Sequence, residues 1–184
     1  MQAWRVSGFP PDRVIGMAGV LDTARFRALV GVSSPVRARD VRGWALGSHG
    51  DEMVVPLSVA TATGRPIGEV LAPDVLAAAV TRTRESGAEV VSLLKTGSAS
   101  ITPGLAAATM VLAMIRDDGT VLPSTVRPTG QYGLRDVYVG LPARLGRRGV
   151  LEIVELPVDP REREALTTAA TSVRSRAASL GAGR

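Results

Sequence analysis

The sequence contains a single histidine, His49, in the segment Gly47-Ser48-His49-Gly50. The glycines on both sides permit a tight backbone and leave the imidazole open to a ligand. Histidine is also the side chain that most readily exchanges a proton near neutral pH. The alternative interpretation is a turn histidine with no catalytic task. Residue type and context make His49 a candidate acid or base.

A second candidate pair lies nearer the N-terminus. Asp22 and Arg25 are three residues apart at the start of a predicted helix, so they share one face. The alternative is an aspartate that interacts favourably with the helix dipole and pairs weakly with an arginine. Spacing alone leaves both interpretations open.

Several other chemistries have no support in the sequence. There are no cysteines, so disulfides and thiolate nucleophiles are excluded. One histidine and scattered acids do not give the spacing of a metal site, so we expect none. A GxSxG nucleophile elbow is absent, and so is the GxGxxG turn of dinucleotide-binding units.

Composition limits the class of protein. A chain of 184 residues with 45% hydrophobic residues can bury a core as one domain. The net charge of +5 comes from scattered arginines with only one lysine, and aromatics make up 3%, so we expect no nucleic-acid binding. No apolar stretch is long enough for a membrane span, and no signal-peptide core is present, so we expect no membrane and a cytoplasmic location.

The elements that must position these residues are mixed without regular alternation, which predicts an α+β fold. We expect Gly31 and Pro35 to end the helix after Arg25, and Gly87 to break a later one. Pro142 and the turn at 146–149 should separate the last strands. Helices are predicted at 2–7, 21–30, 73–86, 89–94, 105–115 and 160–178, and strands at 13–17, 41–46, 53–59, 121–122, 137–141 and 150–156.

Five ordered segments resemble the C-terminal α/β catalytic domain of the lactate dehydrogenase-like malate dehydrogenases. The separation between Asp22 and His49 also fits that family without a gap. The matching segments are 14–27 (VIGMAGVLDTARFR), 46–57 (LGSHGDEMVVPL), 93–99 (LLKTGSA), 132–142 (YGLRDVYVGLP) and 152–156 (EIVEL).

The resemblance implies a role for each matching residue. Arg25 would grip the substrate carboxylate with its planar guanidinium. His49 would donate a proton to the 2-oxo oxygen, or accept it in malate oxidation, while Asp22 bonds the other imidazole nitrogen. Ser98 and Ala99 would line the pocket. The implied fold is a mixed antiparallel sheet with long helices and no Rossmann domain.

The resemblance also implies a missing part. Family members begin with a nucleotide-binding domain that holds NAD, whereas here residues 1–12 would be the end of the linking helix. Residues 13–179 would form the substrate-binding domain and 180–184 a tail. We therefore expect no cofactor-binding residues in this chain, and no useful rate of malate oxidation by the chain alone.

Three hypotheses follow from that expectation. The chain is a piece of a malate dehydrogenase, half of a split enzyme that docks to a separate nucleotide-binding chain, or a non-catalytic oligomerising relic. The expected ligand is a dicarboxylic 2-hydroxy or 2-oxo acid, and segments 49–53 and 96–99 favour malate over lactate. Exposed apolar faces on helices 21–30 and 105–115 should promote homo-oligomers or docking.

Overall fold

The computed structural model describes residues 1–180. Helices and antiparallel strands are mixed along the chain, as the α+β prediction requires. The helices are α1 (Gln2–Ser7), α2 (Ala18–Ser33), α3 (Ile67–Val70), α4 (Pro73–Leu94), α5 (Ile101–Arg116) and α6 (Pro160–Ser179). The strands are β1 (Val41–Arg42), β2 (Leu46–Gly47), β3 (Met53–Val54), β4 (Thr61–Ala62), β5 (Arg65–Pro66), β6 (Val121–Val126), β7 (Val139–Gly146) and β8 (Gly149–Ile153).

The strands form two antiparallel sheets. The smaller sheet has the order β1-β4-β5. In the larger sheet β7 is central, and β6 pairs with it from Val126↔Val139 to Val121↔Arg144. The opposite edge of β7 is shared, because β2 pairs at Gly140 and β8 pairs farther along at 143–146. The strand that precedes His49 is thereby attached to the centre of the larger sheet.

Two hydrophobic clusters fill the domain. The first lies against the larger sheet, where Leu141 and Leu145 of β7 pack with Leu166 of α6. The second lies between α2, α4 and the smaller sheet, and its centre includes the fully buried Phe26 and Val30 of α2. Since α2 packs against both α4 and β6, it connects the two halves of the core.

The close contact of α2 with β6 depends on Gly19. A Cβ at this position would lie 2.6 Å from the carbonyl oxygen of Pro123, a distance that real side chains do not tolerate. The helix can therefore approach the strand only where its first turn carries glycine. Asp22 lies in the next turn, so this contact also sets the depth of the carboxylate.

The final helix begins with a capping box. The side chain of Asp159 accepts a hydrogen bond from the backbone N–H of Glu162, and the Glu162 side chain accepts one from the N–H of Asp159. Glu162 also accepts hydrogen bonds from the backbone N–H and the hydroxyl of Ser58. The start of α6 is therefore fixed to the segment that follows β3.

The prediction that Gly31 ends α2 was wrong, because the helix runs through it to Ser33. A Cβ on Gly31 would lie 2.9 Å from the backbone nitrogen of Ala38. The glycine therefore permits close packing of the next segment and does not terminate the helix. The predicted break at Gly87 was also wrong, since α4 is continuous over 22 residues.

The strand predictions needed several corrections. Residues 13–17 form no strand; Pro11–Arg13 is a 3-10 helix and Gly16 makes one isolated bridge to Thr125. Residues 41–46 divide between β1 and β2, which belong to different sheets. Residues 53–59 give only the two-residue β3 before a 3-10 helix at Leu57–Val59. Alternation of residue types does not reveal that neighbouring residues join separate sheets.

The larger strands are longer or placed differently from the prediction. Pro142 does not separate two strands but lies inside β7, in the gap between Gly140, which pairs with β2, and Ala143, which pairs with β8. A proline is tolerated where no continuous ladder needs its N–H. β6 extends to Val126, and β4 and β5 were not predicted.

The terminal helices agree with the sequence. The predicted helix at 2–7 is present and ends at Gly8, whose φ of 69° is the left-handed conformation of a helix C-terminus. The last helix spans Pro160–Ser179, and α5 begins at Ile101, four residues before its predicted start. Of the predicted tail at 180–184, residues 181–184 lie outside the described residues. None of the helices in residues 1–180 is both long and apolar enough to cross a membrane.

The packing of Gly19 gives a stability prediction. Gly19→Ala should lower the free energy of unfolding by about 1–3 kcal/mol, because the added methyl group overlaps the Pro123 carbonyl. Gly104→Ala is the matched control, since a Cβ on this glycine of α5 meets nothing within 4 Å. The control should be neutral or stabilising by up to about 1 kcal/mol. Urea unfolding checks both variants, and equal effects would contradict the packing argument.

Candidate active site

Asp22 lies at the centre of the candidate site. Its side chain is 2% exposed, and its two carboxylate oxygens have different partners. Oδ2 lies 2.7 Å from Nδ1 of His49, and Oδ1 accepts a hydrogen bond from Nη1 of Arg25 at 3.2 Å. One carboxylate therefore joins the two residues that the sequence singled out.

The arrangement determines the protonation of the neutral imidazole. An ionised carboxylate can only accept hydrogen bonds, so Nδ1 of His49 carries the proton that faces Asp22. Nε2 has no hydrogen-bond partner within residues 1–180. A histidine held in this way presents one free nitrogen that can accept or donate a proton.

The backbone around His49 explains how the imidazole reaches Asp22. Gly47 ends β2 with a φ of 78°, which turns the chain out of the sheet. A Cβ on Gly47 would lie 2.9 Å from the carbonyl oxygen of Glu52, so the turn 48–52 closes tightly over it. From the other side, Thr23 accepts a hydrogen bond from the backbone N–H of Ala45 at 2.8 Å. Helix α2 and the start of β2 are thus held in register.

Gly87 of α4 leaves room beside the free nitrogen. A Cβ at Gly87 would lie 3.9 Å from both Nη1 of Arg25 and Nε2 of His49. The guanidinium and the free imidazole nitrogen therefore border the same space. Arg25 is 14% exposed and His49 is 50% exposed, so this space opens towards solvent. A small acid could contact both groups there at once.

Two voids adjoin the site. A cavity of about 20 Å³ lies behind the Asp22–His49 pair and includes Thr125 in its lining, which is room for about one water molecule. A larger, mostly apolar groove of about 330 Å³ runs between α2 and α5, with Arg25 and Thr102 in its lining. Neither void encloses the imidazole on all sides.

Ser98 and Ala99 lie in the loop between α4 and α5. Ser98 is exposed and Ala99 is half-buried. Neither residue lines the groove beside Arg25 or the cavity beside His49. The structure thus brings together three of the five predicted residues, and the roles of all five stay predictions.

The carboxylate of Glu52, at the end of the turn, is kept ionised. A hydrogen bond from Ser172, followed by the hydrogen bond and charge of Arg176, holds the pKa of Glu52 below its ordinary value. A lowered pKa in the folded state stabilises the fold at pH above the unfolded value, and this contribution is lost as the pH falls through the lowered value. The contact between α6 and the turn is therefore complete at neutral pH.

The sequence analysis did not identify two residues that border the site. These are Gly87, beside the free imidazole nitrogen, and Thr102, in the lining of the groove next to Arg25. Gly87 was interpreted as a helix break, although the same absence of a side chain leaves space beside Nε2 of His49. A glycine inside a strongly helical segment is the signal that could have indicated a ligand or close packing.

Within the described part of the chain, no group of three or more acidic or histidine side chains could hold a metal ion.

The fold and the geometry together define an α+β domain that carries a carboxylate-held histidine beside a partly buried arginine. Residues 19–180 match the family model described as lactate/malate dehydrogenase, alpha/beta C-terminal domain. The chain belongs to the lactate/malate dehydrogenase family.

Similar proteins and structures agree with this family. The chain is 47% identical to a malate dehydrogenase of Chloroherpeton thalassium, over 91% of this chain and 54% of the relative. A malate dehydrogenase of Thermomicrobium roseum is 48% identical over 94% of this chain and 55% of the relative. The malate dehydrogenase structure from Salinibacter ruber superposes with a TM-score of 0.93 at 40% identity, over 97% of this chain and 58% of the other.

A lactate dehydrogenase is equally similar in structure. The enzyme from Cryptosporidium parvum, solved with lactic acid and β-nicotinamide adenine dinucleotide, superposes with a TM-score of 0.94 at 33% identity, over 98% of this chain and 59% of that one. The fold is therefore shared by both branches of the family. The chain spans a little more than half the length of the relatives it matches.

The hydrogen bond between Asp22 and His49 gives a prediction for the imidazole. Asp22→Ala removes the acceptor at Nδ1, so the neutral form should shift from the Nδ1–H tautomer towards Nε2–H. Nitrogen-15 NMR of labelled histidine measures this directly, because the chain contains one histidine. Asp51→Ala, on the same turn and exposed, is the control and should keep the wild-type tautomer. An unchanged tautomer in Asp22→Ala would contradict the assignment.

Proposed function

We propose that this chain is the substrate-binding and proton-transfer domain of an NAD-dependent malate dehydrogenase, which interconverts malate and oxaloacetate. The observation that carries the proposal is the single Asp22 carboxylate joined to both His49 and Arg25. The similarity to malate dehydrogenases over more than nine-tenths of the chain supports it.

Each residue has a defined task in this proposal. Arg25 binds the carboxylate next to the reacting carbon, because its guanidinium can form two parallel hydrogen bonds. Nε2 of His49 accepts the hydroxyl proton of malate, or donates a proton to the carbonyl oxygen of oxaloacetate. Asp22 keeps Nδ1 protonated and offsets the charge of the imidazolium. Ser98 and Ala99 line the substrate pocket of the complete enzyme.

NAD does not fit the residues of this chain. Within residues 1–180 the strands pair antiparallel, and no strand enters a helix through a glycine-rich turn that could cradle a pyrophosphate. The nicotinamide supplies the redox chemistry only when another domain holds it. The proposal therefore requires a nucleotide-binding domain, in the same longer protein or in a separate chain.

The experiment that tests the proposal provides the chain with a nucleotide-binding domain. The chain is fused to, or mixed with, the N-terminal part of the Chloroherpeton thalassium relative that this chain does not match. The complete assembly should consume NADH with oxaloacetate faster than with pyruvate, while the chain alone should give no useful rate. Activity of the chain alone, or a preference for pyruvate, would overturn the corresponding part of the proposal.

The role of Arg25 can be tested in the same assembly. Arg25→Lys should lower kcat/KM for oxaloacetate by about a hundredfold, because an ammonium group cannot make the two parallel bonds. Arg27→Lys is the matched control, since Arg27 lies on the same helix but donates to the backbone oxygen of Ala38 at 3.2 Å. Equal rates in the two variants would argue against Arg25 as the carboxylate anchor.

The apolar surface of α5 supports the expected assembly. Ile101, Leu105, Leu112 and Ile115 follow one face of the helix, and each is at least 47% exposed. On α2, by contrast, the strongly exposed large hydrophobic residue is Val32, which lies outside 21–30. The exposed apolar residues within 21–30 are alanines, so the predicted apolar face of that helix was wrong. We expect the isolated chain to bury the α5 face against a second copy.

Light scattering tests this expectation. The isolated chain should show a mass above that of the 19.1 kDa monomer. Leu105→Glu should shift the distribution towards the monomer, since it places a charge in the apolar face. Leu151→Glu, an exposed leucine on β8, is the control and should leave the mass unchanged. A monodisperse monomer in the unsubstituted chain would contradict the expectation.

A further inference from the structure

Helix α6 covers the outer side of the hairpin that carries His49. A Cβ on Gly47 would lie 3.3 Å from Cβ of Ala169, so the helix and β2 are in direct contact. Ala169 is fully buried. The turn that follows Gly47 therefore leaves the sheet directly beside the last helix of the domain.

One arginine of α6 reaches both sides of the turn. Nη2 of Arg176 donates a hydrogen bond to the hydroxyl of Ser48 at 3.1 Å and to the carboxylate of Glu52 at 2.9 Å. Ser48 directly precedes His49, and Glu52 follows three residues after it. The final helix thus connects the two ends of the turn to each other.

The turn has few other restraints. Gly47 and Gly50 both have positive φ values, 78° and 96°, and within the turn the backbone N–H of Met53 donates to the carbonyl of Gly50 at 2.9 Å. Asp22 holds His49 through one imidazole nitrogen. The pairing of Gly47 with Met53 closes the base of the turn, but residues 48–52 lie outside the ladder and depend on side-chain contacts for their order.

We propose that Arg176 is a positioning residue, which holds Ser48 and Glu52 so that His49 keeps its hydrogen bond to Asp22. The inference rests on the proposed role of His49 in proton transfer. It extends the site to a residue that is 128 positions from Ser48 and forms its hydrogen bonds with the turn and not with the imidazole. The last helix of the domain then serves the site as well as the core.

An ordinary surface ion pair would not have this effect. Arg176 is 60% exposed, and an isolated pair at that exposure contributes little to the stability of the whole fold. Arg176 differs from an isolated pair because both acceptors of its hydrogen bonds, Ser48 and Glu52, belong to one short turn. The expected consequence is therefore local order of the turn and not a change in global stability.

Other charged groups also face the turn. Asp22 and Arg25 approach from α2, and Arg84 of α4 donates to the carbonyl of Met53 at 3.1 Å. Arg161 and Glu164 of α6 line an open cleft next to Asp51 and Glu52. A readout that depends only on the position of the imidazole separates the Arg176 contact from the general field of these charges. The tautomer of neutral His49 is such a readout, because it reports whether Nδ1 still faces Asp22.

The test compares two arginines of the same helix in the isolated chain. Arg176→Gln should raise the fraction of neutral His49 in the Nε2–H tautomer, measured by nitrogen-15 NMR. It should also increase the exchange rate of the Met53 amide by about threefold. Arg174→Gln is the matched control, since Arg174 donates to the backbone oxygen of Arg135 at 2.6 Å and does not touch the turn. The control should keep the wild-type tautomer and exchange rate.

Glu52→Ala provides a second variant that leaves α6 intact. It removes the principal acceptor on the turn and should change the tautomer and the Met53 exchange in the same direction as Arg176→Gln. The inference is overturned if neither variant changes the tautomer, or if Arg174→Gln changes it equally. These measurements need no nucleotide-binding domain. If the reconstituted enzyme failed to use oxaloacetate, the proposed function would be contradicted, but the role of Arg176 in positioning His49 would still be decided by the NMR and exchange data.

Discussion

The buried carboxylate of Asp22 is the interaction on which the site depends. It has one oxygen for the histidine and one for the arginine, so the proton-transferring group and the cationic group cannot move independently. A carboxylate that is 2% exposed is costly unless it is fully paired, and here both oxygens have partners. The close approach of α2 to β6, which Gly19 permits, sets the position of this carboxylate. The packing of the core therefore also fixes the geometry of the site.

The sequence predicted the chemical residues better than the elements that hold them. Asp22, Arg25 and His49 could be identified because their types and spacing resemble a known family, and the structure places them in contact. Glycine was the main source of error, since Gly31 and Gly87 were interpreted as helix breaks. Gly31 is required by the backbone of Ala38 that packs against it, whereas Gly87 leaves open the space beside Arg25 and His49. A single sequence carries no record of such neighbours.

Short strands were the second source of error. Residues 41–46 have the composition of one buried strand, yet β1 and β2 join different sheets, and the pairing of Gly47 with Gly140 involves residues far apart in the chain. A Cβ on Gly140 would lie 2.9 Å from the carbonyl oxygen of Gly47. Such a crossing needs glycine on the strand that is approached, and only the three-dimensional arrangement reveals which pair is involved.

The crossing of β2 with β7 also has a consequence for the order in which the molecule can fold. Asp22 and His49 both lie in the first third of the chain, but the strand that presents the histidine is completed by residues near 140. Contacts between residues so far apart in the sequence form late in folding, because the entropy of closing a long loop is lost before the contacts can stabilise the structure. A nascent chain that has already emerged past His49 therefore has its reactive groups but not their geometry, which is acquired only when the last third of the domain has been synthesised.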